Sequence, residues 1–181
     1  MNTNNKITYG ASVFDFGETV GLSNNVVWAS KNGSVIKITS DEWPTVGEQM
    51  INEGWKMDFT DFNKVTDGIP GPLINKLKNQ IHKYGYDSVY ILTARHSNSE
   101  KAIHEWLIEQ NIKLKLDNIV GLGNSTGEAK AKWIQDNLIS NGVNDIYFVD
   151  DAFSNVKAVK DMFNEYPKGF LIKGGKSIIT N

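Results

Sequence analysis

The first strong apolar run of the chain ends in an acid and reads Ser12-Val13-Phe14-Asp15-Phe16-Gly17-Glu18-Thr19-Val20. A buried parallel strand has this form when it delivers a carboxylate, here that of Asp15, to the carboxyl edge of a sheet. Ligands of open α/β sheets bind at that edge. We therefore expect a first strand within residues 7–16 and a functional carboxylate at its end.

Beyond Pro72 the chain alternates between helical and extended patterns. Apolar runs predict strands at 88–92, 118–121, 145–149 and 169–172, and amphipathic spacing predicts helices at 73–84, after 97, after 125 and at 154–166. Two Ser-x-x-Glu sequences, which begin at Ser97 and Ser125, predict capping boxes. Strands that alternate with helices imply right-handed crossovers. We therefore expect a three-layer α/β domain with a Rossmann-like parallel sheet.

Residues 20–68, called the insertion below, interrupt this alternation and are rich in aromatic side chains. A β-hairpin is expected over 26–38, because Asn32-Gly33 suits a tight turn. A short helix is expected to start at Ser40 or Asp41 as its cap and to end near Gly54, followed by an extended piece at 57–62. We interpret the insertion as a small cap, and residues 1–19 with 69–181 as the core domain.

Composition excludes several classes of site. The 181 residues include no cysteine, which excludes disulfides, thiolate catalysis and zinc–thiolate sites. The net charge of −2 shows no overall basic excess of the kind that marks tight nucleic-acid binding. No apolar run approaches the ~18 residues of a membrane-spanning helix or resembles a signal peptide. These features predict a cytoplasmic protein without a membrane partner.

Three of the expected strands end in side chains that suit phosphate chemistry. They are Asp15, Thr93 and the pair Asp150-Asp151. Parallel strands bring these ends to one edge, where the carboxylates would repel one another unless a cation lay between them. Oxygen ligands without histidine or cysteine favour Mg²⁺, which in turn favours a phosphate ligand. Thr93 and Lys130 can complete a clamp on a phosphoryl group.

This combination resembles the haloacid dehalogenase superfamily of phosphotransferases. The insertion is similar to that of its small phage and bacterial members. Four motifs carry the resemblance, in order within residues 13–155: Val13-Phe14-Asp15-Phe16-Gly17-Glu18-Thr19, then Ile91-Leu92-Thr93-Ala94-Arg95, then Lys130, and finally Phe148-Val149-Asp150-Asp151-Ala152-Phe153-Ser154-Asn155. Lys132 is an alternative to Lys130 as the third motif.

The resemblance implies a role for each motif. Asp15 would be the nucleophile that forms an aspartyl-phosphate. The phosphoryl group would be bound by Thr93, Ala94, Arg95 and Lys130. Mg²⁺ would be held by Asp15, the backbone carbonyl of Gly17, Asp150 and Asp151. The substrate would be a phosphomonoester, either a phosphorylated small molecule or a nucleic-acid end.

Gly17 departs from the family pattern. Phosphatases of this superfamily usually carry a second Asp there, which protonates the leaving group and then activates water. Glycine keeps the carbonyl but removes a proton shuttle that is worth ~10²–10⁴-fold in rate. Glu18 is an alternative shuttle, although successive side chains of an extended chain point to opposite sides. The dehalogenase branch also lacks this Asp but uses no metal, so the Asp150-Asp151 pair favours phosphate and metal over halide.

Gly17 leaves two interpretations of the whole protein. One is a phosphohydrolase whose activity is impaired by the missing acid. The other is a non-catalytic protein of the same fold that binds Mg²⁺ and phosphate. Glycine at this position is compatible with a natural variant and with an engineered one.

Overall fold

The computed structural model describes residues 9–165 and the backbone of residues 171–173. In chain order the strands are β1 (Gly10–Phe14), β2 (Gly21–Leu22), β3 (Val26–Lys31), β4 (Ser34–Thr39), β5 (Lys56–Asp58), β6 (Ile69–Pro70), β7 (Val89–Thr93), β8 (Ile119–Gly121), β9 (Asp145–Val149) and β10 (Leu171–Lys173). The helices are α1 (Trp43–Asn52), α2 (Ile74–Tyr84), α3 (Glu100–Glu109), α4 (Gly127–Asn137) and α5 (Phe153–Asn164).

A five-stranded sheet forms the core, in the order β10-β9-β1-β7-β8, with every neighbouring pair parallel. Residues of α2 and α3 pack on one face of this sheet, and residues of α4 and α5 pack on the other. The three-layer, Rossmann-like α/β fold predicted from the sequence is therefore confirmed. Within residues 9–165, no helix combines the length and apolar character that crossing a membrane requires.

The central strand β1 is covered on both faces. Phe14 packs into the cluster with α2 and α3, whereas Val13 packs into the cluster with α4 and α5, and both side chains are fully buried. Double-sided burial explains why the strand reads as a continuous apolar run. It also places Asp15 at the middle of the carboxyl edge of the sheet, between β9 and β7.

The insertion contains a small sheet of its own, with the order β4-β3-β5 and antiparallel pairing. The hairpin predicted at 26–38 is present, and its turn residues Asn32 and Gly33 both have positive φ, 50° and 80°. This is the conformation that an Asn-Gly turn adopts between twisted strands. Aromatic and aliphatic residues of α1 pack on this sheet. The division of the chain into a core domain and a cap stays a prediction.

The predicted helix caps are wrong. The N-cap of α1 is Glu42 rather than Ser40 or Asp41, and it makes no side-chain cap bond. Ser97 opens a single 3₁₀ turn, so α3 begins only at Glu100, whose carboxylate instead accepts a hydrogen bond from the backbone N–H of Gly121 over 3.5 Å. A tertiary contact thus occupies the Glu100 carboxylate that the local pattern assigned to a capping box.

The second capping box is displaced by one residue. Thr126, not Ser125, caps α4, and its hydroxyl accepts a hydrogen bond from the backbone N–H of Ala129 over 3.2 Å. The extended piece expected at 57–62 is shorter as well, because Asp58 accepts a hydrogen bond from the N–H of Thr60 and a 3₁₀ turn follows. Residues 169 and 170 of the last predicted strand lie outside the described residues.

Candidate functional site

Three carboxylates meet at the carboxyl edge of the core sheet. β1 and β9 are neighbours in a register that pairs Phe14 with Val149, so the residues that follow them are adjacent. The N–H of Asp15 continues the ladder by donating to the carbonyl of Val149 over 2.8 Å. Asp15, Asp150 and Asp151 can each offer a carboxylate oxygen, and these oxygens lie within 4.8 Å of one another. The structure therefore brings the predicted acids together.

Lys130 enters this cluster from α4. Its Nζ donates to Oδ1 of Asp15 over 2.8 Å and to Oδ2 of Asp150 over 2.6 Å, and its side chain is only 2% exposed. Helix α4 can pack closely on α5 because Gly127 has no side chain. A Cβ on this residue would lie only 2.8 Å from the Cβ of Ala158 in α5. Burial alone would lower the pKa of Lys130, but Asp15 and Asp150 outweigh it and raise the pKa above its usual value.

Lys132, the alternative to Lys130, has a different environment. Its side chain is 75% exposed and pairs with Asp136 four residues later on the same helix. The structure therefore places Lys130, and not Lys132, among the carboxylates.

Two side chains with no predicted role fix the carboxylates in place. Asn155 donates to both oxygens of Asp150, over 3.1 and 3.0 Å, and the N–H of Ala152 donates to Oδ1 over 2.9 Å. Thr19 donates its hydroxyl proton to Oδ2 of Asp15 over 3.1 Å. The only sequence signal for these contacts is short spacing, four residues after Asp15 and five after Asp150.

The negative charge of the three close carboxylates favours the binding of a cation. When all three carboxylates are ionised, they and one ammonium carry a formal charge of −2, at a place where Asp15 and Asp150 are buried and Asp151 is half-buried. Burial, followed by the charge of Asp15, raises the pKa of Asp150, and the same two causes raise the pKa of Asp151 to about 8. A bound divalent cation would neutralise this charge. The oxygen-only donor set fits a hard cation, so the residues present are compatible with a metal site.

Thr93 closes the carboxyl edge on the other side of Asp15, because it ends β7 and β7 pairs with β1. It is 2% exposed, and its Oγ1 accepts a hydrogen bond from the N–H of Arg95 over 3.2 Å. The hydroxyl proton therefore points away from this N–H and can be donated to a ligand. Ala94 lies between these two residues in the chain.

The backbone turns sharply after Gly17. Glu18 has a positive φ of 57°, an uncommon conformation for a residue other than glycine. Its carboxylate accepts a weak hydrogen bond from the Ser40 hydroxyl, over 3.5 Å, and burial followed by the nearby Asp41 raises its pKa. A Cβ built on Gly17 would meet no heavy atom within 4 Å. Position 17 therefore has room for an acidic side chain.

The side chain of Arg95 reaches into the insertion. Its guanidinium donates to the carbonyl of Lys64 over 2.9 Å and to the hydroxyl of Ser23 over 3.0 Å. Its Cζ lies 5.1 Å from the centroid of the Phe16 ring and 4.9 Å from that of the Phe62 ring. Burial lowers its pKa to about 10, so it remains charged at neutral pH. Its role in substrate binding stays a prediction.

Comparisons with known proteins leave the function open. No protein-family model matches the chain, and no curated protein matches it. Among solved structures it is similar to a hypothetical protein from Pyrococcus horikoshii, with 13% sequence identity and a TM-score of 0.33. The match covers 91% of this chain and 40% of that one, so this chain spans less than half of that protein's length. At this level of similarity, function has to be inferred from the residues of the site.

Proposed function

We propose that the protein is a Mg²⁺-dependent phosphohydrolase of the haloacid dehalogenase type, which acts on a phosphomonoester through an aspartyl-phosphate. The observation that carries this proposal is the cluster of Asp15, Lys130, Asp150 and Asp151, in which three carboxylates share one ammonium and three of the four residues are buried. A structural ion pair would need one acid for Lys130. The additional carboxylates favour a site that holds a divalent cation and a phosphate.

The cation would be held by Asp15, Asp150, Asp151 and the carbonyl of Gly17, and would supply neutralisation of the charge on the phosphoryl oxygens. The Asp15 carboxylate attacks phosphorus, so an Asp15–phosphate bond forms while the ester P–O bond breaks. Lys130 offsets the negative charge that gathers on Asp15 and the phosphoryl group. Water then attacks phosphorus, the Asp15–phosphate bond breaks, and hydrogen phosphate and the free Asp15 carboxylate result. The proton that water loses to solvent balances the proton that the departing ester oxygen takes from solvent.

The substrate binds through its phosphoryl group. The Thr93 hydroxyl donates to a phosphoryl oxygen, next to Ala94 at the mouth of the site. The substrate is a phosphorylated small molecule or the phosphorylated end of a nucleic acid, present in the cytoplasm of a bacterium or of a phage's host. The nucleic-acid end is included because the chain resembles phage phosphatases of nucleic-acid repair.

Turnover of p-nitrophenyl phosphate, nucleotides and oligonucleotides with a 3′- or 5′-phosphate tests the proposal. We expect release of phosphate with Mg²⁺, and its loss on addition of EDTA or in the isosteric variant Asp15→Asn. The matched control is Asp136→Asn, which removes an exposed carboxylate that pairs only with the surface residue Lys132 in the described contacts. Background turnover of every substrate by the wild-type protein would contradict the proposal.

Gly17 supports a second candidate, a non-catalytic protein that binds Mg²⁺ and phosphate. Gly17→Asp separates the two, because the new side chain enters open space and requires no positive φ. A large gain in turnover would show an intact site that lacks only its acid. Unchanged background turnover, together with retained phosphate binding, would favour the binding protein.

A further inference from the structure

Arg95 connects the carboxyl edge of the core sheet with the insertion. Its backbone N–H donates to the Thr93 hydroxyl oxygen over 3.2 Å. Its guanidinium extends in the other direction, where it donates to the carbonyls of Phe62 and Lys64 over 3.4 and 2.9 Å. One residue thus contacts both the proposed phosphate-binding hydroxyl and the backbone of the insertion.

The Arg95 guanidinium makes both hydrogen bonds and aromatic contacts. Beyond the two carbonyls, it donates to the side-chain oxygens of Ser23 and Asn25 over 3.0 and 3.3 Å. The ring of Phe16, which belongs to the core, and the ring of Phe62, which belongs to the insertion, have their centroids 5.1 and 4.9 Å from its Cζ. A planar, forked cation can stack and donate at once, whereas the compact ammonium of lysine cannot.

The guanidinium binds where the two ends of the insertion meet. Asn25 is fully buried, and its amide donates to the Asp61 carbonyl over 2.8 Å and to the Thr66 hydroxyl over 3.1 Å. The Asp61 carboxylate accepts from the N–H of Val26 over 2.9 Å. Because residues 23–26 and 61–66 are tied together, one attachment point can hold the insertion.

We propose that Arg95 is a positioning residue, whose side chain fixes the insertion against the carboxyl edge while its backbone N–H orients the Thr93 hydroxyl toward the phosphate. A shift of the insertion therefore moves Arg95 and, with it, the donor that meets the phosphate. The contacts by which the Arg95 side chain fixes the insertion do not depend on whether the protein catalyses a reaction. The effect on phosphate binding rests on the proposed function.

Hydrogen exchange of the ligand-free protein tests the hold on the insertion. In Arg95→Ala and Arg95→Lys we expect exchange at residues 23–26 and 60–66 to rise by about tenfold or more, because several hydrogen bonds are lost together. Amides of β1, β7 and β9 should keep their protection, which shows that the core is folded. Ser23→Ala removes one of the bonds and should give a smaller rise in the same segments.

Lys64→Ala is the matched control. It removes one positive charge and an exposed ion pair with Asp61, of a kind that contributes little to stability, but the contact with Arg95 is made by the Lys64 carbonyl, which remains. We expect its exchange to stay within about twofold of the wild type apart from residue 64 itself. Unchanged exchange of the insertion in Arg95→Ala would overturn the inference, and so would full restoration by Arg95→Lys.

Inorganic phosphate with Mg²⁺ tests the coupling to the site. In the wild type, phosphate should slow exchange at residues 60–66, whereas Arg95→Ala should still bind phosphate without slowing exchange there. If Arg95→Ala abolishes phosphate binding while its insertion exchanges as in the wild type, Arg95 is a phosphate ligand and the inference is wrong. If the wild type binds no phosphate, the proposed function fails, while the ligand-free exchange result stands.

Discussion

Lys130 and Lys132 lie two residues apart in α4, yet only Lys130 lies among the carboxylates. Replacing it by methionine leaves Asp15 and Asp150 buried without their counter-charge. Loss of one partner of a buried ion pair costs about 3–5 kcal/mol. We therefore predict that Lys130→Met lowers the free energy of unfolding by that order, as measured by urea denaturation.

Lys132→Met is the control for this variant, because the Lys132–Asp136 pair is exposed on the surface. Exposed ion pairs contribute up to about 1 kcal/mol, so its free energy of unfolding should stay within that range of the wild type. Equal losses in the two variants would mean that the contacts of Lys130 with Asp15 and Asp150 contribute nothing specific.

The glycine at position 17 should make the rate of hydrolysis depend strongly on the leaving group. Without an acid at this position, the departing oxygen leaves without a proton from residue 17. We expect kcat/KM to fall steeply as the pKa of the leaving alcohol rises, so that p-nitrophenyl phosphate is turned over far better than alkyl phosphates.

An acid restored by Gly17→Asp should flatten this dependence, with gains on alkyl phosphates of up to ~10²–10⁴-fold. The measurement is kcat/KM for a series of aryl and alkyl phosphates with both proteins. A flat dependence in the wild type would show that another residue, such as Glu18, already donates the proton.

The site was only partly predictable at the scale of residues. Asp15, Thr93 and Asp150 could be grouped because each ends an apolar run, and parallel strands share a carboxyl edge. Thr19 and Asn155 could not be assigned, because their function lies in a hydrogen bond made after the chain turns back. The contacts of the Arg95 side chain could not be predicted either. They depend on how the insertion packs against the core, and no local sequence pattern determines that packing.

At the scale of elements, the strands were predictable and the helix starts were not. Strand β9 has the predicted bounds, Asp145–Val149, because an apolar run between polar residues leaves little freedom in register. The first residues of α3 and α4 depend on which side chain accepts hydrogen bonds from the unpaired backbone N–H groups at the start of each helix. Ser97 and Ser125 match the capping pattern, but tertiary contacts and a one-residue shift decide the outcome.

The cap of α4 can be tested directly, and it supports the helix that carries Lys130. Thr126→Ala removes the acceptor for the N–H of Ala129 and should cost about 1 kcal/mol in the free energy of unfolding. Ser125→Ala, one residue earlier, should cost little because Ser125 is not the cap. Chemical denaturation of both variants gives the comparison, and a larger loss for Ser125→Ala would contradict the cap assigned here.

At the scale of the whole molecule, the acidic cluster links stability to pH and to divalent cations. The pKa of Asp151 is raised to about 8, well above the usual value of an aspartate, so near neutral pH the folded state holds a proton that the unfolded state has lost. The resulting stabilisation is complete below the unfolded pKa and is lost as pH rises through the folded pKa. In the absence of divalent cations, we therefore predict that this contribution disappears between about pH 4 and pH 8.

Mg²⁺ should reverse this loss, because it binds the deprotonated carboxylates. We expect the rise in Tm on addition of Mg²⁺ to be larger at pH 8 than at pH 5. Asp151→Asn should remove most of that difference, and in EDTA it should be more stable than the wild type at pH 8. Thermal denaturation with and without Mg²⁺ provides the measurement, and a stabilisation by Mg²⁺ that shrinks as pH rises would contradict the linkage.

In the proposed function, Asp15 is a nucleophile toward phosphorus in a metal-dependent site. A crystal structure of the protein with Mg²⁺ and beryllium fluoride, a mimic of the phosphoryl group, tests it most directly. We expect beryllium fluoride joined to a carboxylate oxygen of Asp15, within reach of Lys130 and Thr93, with Mg²⁺ held by Asp15, Asp150 or Asp151 and the carbonyl of Gly17. An empty site at saturating concentrations, or a mimic joined to another residue, would contradict it.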